Sequence, residues 1–114
     1  MNVRMIASVT ALLFAAVAFA AGPFDGNWHG LAKSDKAYCG IGEVTLNVVD
    51  NKASGEARFP RGVAKIGGVV EVDGSINGTI GLYRLAGLFK DDTFTGGFGA
   101  AGRCDMTMAL TRAK

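Results

Sequence analysis

Beyond residue 22 the apolar residues show period two and no helix-length periodicity, and this constrains the fold more than any other feature. In Val44-Thr45-Leu46-Asn47-Val48 apolar and polar side chains alternate, as a half-buried strand requires. The C-terminal run repeats the pattern, with Cys104, Met106, Met108 and Leu110 on one face and Asp105, Thr107, Ala109 and Thr111 on the other. Ile76, Gly78, Ile80 and Leu82 share a further face, as do Phe94, Gly96 and Phe98. Turn signals punctuate these runs at Asp50-Asn51, Pro60-Arg61-Gly62, Asp73-Gly74, Asp91-Asp92 and Ala101-Gly102. Short strands at this spacing predict an all-β meander.

Three segments of similar construction reinforce that reading. VVDNKASGEA, VEVDGSINGT and LFKDDTFTGG each run an apolar stretch into an acidic turn and return through Gly55, Gly78 or Gly96. Glycine weakens a strand, so its repeated use points to tight coiling or to close approach of a neighbouring chain. An open sheet of about eight short strands would expose two edges, whereas closure removes both. The expected fold is therefore a small antiparallel meander barrel of about eight strands, with a two-sheet sandwich as the alternative.

The first twenty residues belong to something else. Arg4, an apolar run from Ile6 and the small-residue ending Ala18-Phe19-Ala20 form the pattern of a cleaved secretory signal. The run is short of the ~20 residues needed to span a bilayer, and Gly22-Pro23 follows it. Residues 21–114 then form one glycine-rich β domain, exported to the periplasm or secreted. All 17 glycines lie in it, without a G-X-Y period, and losing Arg4 lowers the net charge from +2 to +1. So balanced a charge excludes a protein held to nucleic acid by electrostatics, and no membrane span remains after cleavage.

Cys39 and Cys104 are the only cysteines. An even count in an exported chain predicts a disulfide, here pinning the segment after the first strand to the last strand. Two thiols and the single His29 are too few for a structural zinc site.

Phe24-Asp25-Gly26-Asn27-Trp28-His29-Gly30, with Gly26-x-Trp28 on a first strand and a meander behind it, resembles small exported barrels of the avidin, lipocalin and bacterial metalloprotease-inhibitor type. That resemblance implies a binding protein. In the inhibitor family the mature N-terminus plugs a protease cleft, which corresponds here to Ala21-Gly22-Pro23-Phe24. Avidin's set of tryptophan ligands is absent, because Trp28 is the only Trp.

The candidate sites follow from chemistry. Trp28 is expected to seal one end of the core, or to join Tyr38, Phe59 and Tyr83 around a small ligand in the barrel mouth. His29 is expected to point outward. Asp73-Gly74-Ser75-Ile76-Asn77-Gly78 spaces oxygen groups like the opening of an EF-hand loop, but the twelfth position is Arg84 and a hairpin is expected instead. Asn77-Gly78-Thr79 is a glycosylation sequon in a eukaryotic secretory pathway. Arg58, Arg61 and Lys65 around Phe59-Pro60 form a small basic rim that could bind an anionic ligand or surface, but with Glu56 and Glu71 nearby a solvated turn is expected, and Asp91-Asp92 reads as turn chemistry. No triad, metal set or partnered base can be read, so no catalytic residue, metal or cofactor is named. The expectation is a non-enzymatic exported protein binding a small ligand. The alternatives are a protein-binding module such as an envelope protease inhibitor, and then a small hydrolase.

Overall fold

The alternating runs become eight strands in a computed structural model that describes residues 22–100 and 104–114. The signal segment predicted over residues 1–20, Ala21 and the turn predicted at Ala101-Gly102 lie outside the described residues. The strands are β1 (Gly26–Lys33), β2 (Gly42–Val49), β3 (Lys52–Phe59), β4 (Gly62–Val70), β5 (Ser75–Ile80), β6 (Tyr83–Lys90), β7 (Thr93–Ala100) and β8 (Cys104–Arg112). Each pairs antiparallel with the next, and β1 pairs with β8 from Trp28↔Arg112 to Lys33↔Thr107, so the sheet closes into a barrel. The two-sheet sandwich is thereby replaced by a single closed sheet with no free edge.

Alternation sets the interior. Val44, Leu46 and Val48 on β2 and Met106, Met108 and Leu110 on β8 point inward and are buried, with no buried polar or charged residue among those described. The outward face carries Lys33, Glu43, Lys52, Arg58, Lys65, Arg84, Lys90 and Asp105, all exposed. Leu82 departs from the strand predicted for it. A turn at Gly81-Leu82, with Gly81 at φ +58°, separates β5 from β6 and leaves Leu82 96% exposed.

The three similar segments are the hairpins β2–β3, β4–β5 and β6–β7, and in an up-and-down barrel these turns share one end. Their return glycines face inward at mid-strand, as do Gly30, Gly68 and Gly87. A side chain there has no room. A Cβ on Gly96 would lie 2.6 Å from the Ala86 carbonyl oxygen, and one on Gly68 would lie 2.7 Å from the Gly78 Cα. The belt of glycines lets neighbouring strands close around a narrow waist.

The hairpin end is stoppered. Trp28 packs edge-on against Phe89 at 4.8 Å between centroids, Phe94 meets Phe89 at 4.5 Å, and Phe24 covers them at 5.5 Å from Phe89. The indole Nε1 of Trp28 donates to the Phe24 carbonyl at 3.0 Å, satisfying the one polar atom of the plug. Arg112 closes the arrangement from outside, its guanidinium 4.9 Å from the indole centroid. It donates to the carbonyls of Pro23, Asp25 and Asp91, each at 3.0 Å, and pairs with Asp92 at 2.9 Å. Gly26, at φ +139°, is what Gly26-x-Trp28 contributes: a Cβ there would meet the Arg112 Cδ at 3.0 Å. The motif glycine makes room for the arginine that covers the motif tryptophan.

Asp25 ties the N-terminal segment to the β2–β3 turn. Its carboxylate accepts the amides of Asp50 at 2.8 Å and Asn51 at 3.3 Å, both turn residues at positive φ. Partial burial pushes this carboxyl up. The amides of Asp50, Asn51 and Gly22 and the charge of Arg112 outweigh that and hold it below the usual carboxylate range.

Candidate functional site

The opposite end is built differently. There the β1–β2 loop, with its short 3-10 helix Ala37–Cys39, and the β3–β4 and β5–β6 turns surround a cavity of about 520 Å³ open to solvent. Ile80, Phe98 and Met106, all buried, form its floor, with Ala64 on the wall. Phe59, Tyr83 and Tyr38 rise toward the rim, where Tyr38 is 70% exposed.

Local sequence explains this shape. Gly42 stands beside Phe59 one step beyond the last β2–β3 pair, Glu43↔Arg58, and a Cβ on it would lie 2.5 Å from the Phe59 ring. The ring therefore occupies space that a side chain on β2 would fill, and it meets Phe98 edge-on at 6.5 Å. Gly40, at φ +79°, turns the chain out of the 3-10 helix beside Pro60. The Cys39–Cys104 disulfide, with Cα atoms 5.6 Å apart, fastens the β1–β2 loop to the start of β8 and lines the cavity. The bridge thus holds one wall of the opening.

Tyr38, Phe59 and Tyr83 are brought together in this mouth. Trp28 is not among them. It lies 1% exposed in the plug at the other end, because it stands near the start of β1 and the mouth receives the end of that strand. Of its two expected roles, the geometry gives it the sealing one. His29 points outward between Thr45 and Thr111. Asp73 spends its carboxylate on Ser75, accepting the amide at 2.9 Å and the hydroxyl at 2.7 Å, which holds its own acid below the usual range. Asn77 is exposed on β5.

The basic cluster divides. Arg58 pairs with Glu56 at 2.9 Å, and Lys65 stands opposite Glu56 on β4. Glu71 belongs to the far end, after β4, and cannot neutralise this turn. Arg61 lines the cavity and is the one charged residue among its described lining. Arg61 is among the lining residues not expected in the mouth from the sequence, as are the floor residues Ile80, Phe98 and Met106. Their signal was position: each is an inward residue near the mouth end of its strand.

The described lining holds no carboxylate, imidazole, serine or threonine, and among the described residues no group of His, Cys, Asp and Glu could hold a metal ion. No helix among them is long and apolar enough to cross a membrane. One stoppered end and one hollow end define a small cup-shaped meander barrel. Compared with known protein families, curated proteins and solved structures, the chain matches none.

Proposed function

We propose that this is an exported, non-enzymatic protein that takes a small, largely apolar molecule into the open mouth of its barrel. The cavity carries the reading: about 520 Å³, walled by aromatic and aliphatic side chains, within the size range of small-molecule sites. The disulfide fits an oxidising compartment, periplasmic or extracellular. Charges around the outward face and an apolar interior suit a barrel in water, the inverse of what lipid demands.

The N-terminal inhibitor reading has less to support it. Residues 22–25 are held against the barrel by Arg112, Trp28 and the Asp25 carboxylate, and Phe24 is part of the plug. A segment so engaged is not a free probe for a protease cleft.

The test is titration with N-phenyl-1-naphthylamine, a neutral fluorophore that brightens in apolar surroundings. The wild type is expected to bind it saturably. Ala64→Trp, which fills the cavity from its wall, should weaken binding at least about tenfold by steric exclusion; Ala64→Leu offers a milder filling. Absence of wild-type binding, or equal binding by folded variants of both kinds, overturns the proposal.

A further inference from the structure

We infer that the occupant of the mouth is a small amphipathic acid, its ionised carboxylate held by Arg61 and its apolar body seated on Phe59, Ile80, Phe98 and Met106. The inference deepens the ligand-binding reading and rests on it. It starts from the polar inventory of the cavity. Apart from backbone, the described lining offers one guanidinium and two phenolic hydroxyls, those of Arg61, Tyr38 and Tyr83, against walls otherwise apolar.

A guanidinium only donates hydrogen bonds, and its planar fork matches a carboxylate. Arg61 makes no ion pair with any described residue, unlike Arg58 three positions earlier, which is engaged by Glu56. Neither tyrosine hydroxyl has a hydrogen-bond partner among the described residues, so both remain able to donate. No described carboxylate lines the cavity to repel an anion or to compete for Arg61. A neutral apolar ligand would use the floor and leave the guanidinium idle. A cation would meet like charge at the rim. A molecule with an apolar body and one acidic end uses every polar side chain of the described lining.

Arg61 sits in the Pro60-Arg61 turn, beyond the end of β3, and is exposed. Its substitution therefore leaves the core intact and isolates the charge. The experiment compares 1-naphthaleneacetate with its neutral near-isostere 1-naphthaleneacetamide, each displacing N-phenyl-1-naphthylamine. The wild type is expected to prefer the acid by about tenfold or more, the scale of a charge-assisted hydrogen bond. Arg61→Gln should bring the ratio near one, with affinity for the amide and the fluorophore unchanged, and Arg61→Lys should restore part of the preference. Raising the salt concentration should narrow the wild-type ratio, because the site is open to solvent. Equal wild-type affinities, or a preference that survives Arg61→Gln, would overturn the inference while leaving the cavity a binding site. Failure of the wild type to bind the fluorophore would instead overturn the binding reading itself.

Discussion

Trp28→Ala is expected to cost about 3–5 kcal/mol of folding free energy, the range for deleting a buried aromatic. The indole is 1% exposed and touches three partners: Phe89 edge-on, the Phe24 carbonyl through Nε1–H, and the Arg112 guanidinium over its face. Its loss would open a cavity in the plug and leave Arg112 and the N-terminal segment without their common support. Chemical denaturation checks this, with a lower midpoint expected and the ligand-free fold otherwise retained. Trp28→Phe should cost less and leave affinity for N-phenyl-1-naphthylamine unchanged. That second outcome separates a stopper from a ligand contact: a marked loss of affinity in a folded Trp28→Phe protein would place the indole in the binding site.

Removing the disulfide is the other large effect. The Cys39→Ser/Cys104→Ser double variant is expected to lose about 4 kcal/mol, since a bridge spanning 65 positions restrains the unfolded chain over most of the domain. Against the 5–15 kcal/mol typical of small domains this is a large share, and the variant should unfold at a much lower denaturant concentration. The bridge also fastens the β1–β2 loop that carries Tyr38 and Gly40 to β8. Ligand affinity measured well below the unfolding transition should therefore fall too, because the occupant would have to order that loop on binding. Unchanged stability on reduction would contradict the structural role assigned to the bridge.

Much of the barrel could be read from side-chain alternation, because every buried side chain on β2 and β8 is apolar and each described two-residue turn but one carries a conventional turn residue pair. The exception mattered. Gly81-Leu82 lacks the Asp, Asn or Pro that marks the other described two-residue turns, and Ile76, Gly78, Ile80 and Leu82 continue the apolar spacing straight through it. In a meander, successive turns alternate ends, so one missed turn obscures which residues share a mouth. With it in place, the turns at 60–61 and 81–82 and the Cys39–Cys104 bridge fall at one end, with Phe59, Tyr83 and Arg61 beside them. Trp28, near the start of β1, falls at the other. Arg61 was visible as part of a basic cluster, but its difference from Arg58 depends on where β3 ends: Arg58 pairs with Glu56 two positions back on that strand, whereas Arg61 lies in the turn beyond it. The glycines were legible as a sign of coiling. That Gly26 clears space for Arg112 and Gly42 for Phe59 required both partners to be seen, 86 and 17 positions away along the chain.

The central claim is that the two ends of the barrel differ in function, one a stopper and one a binding mouth. The most direct test is a two-dimensional nitrogen–proton NMR titration of the wild type with 1-naphthaleneacetate. Trp28 is the only tryptophan, so its indole N–H gives a single resonance reporting on the stoppered end alone. The account predicts that the backbone amides of Tyr38, Arg61 and Tyr83 shift progressively to saturation while the indole resonance stays in place. An indole that moves with the titration while the mouth amides remain still would contradict it.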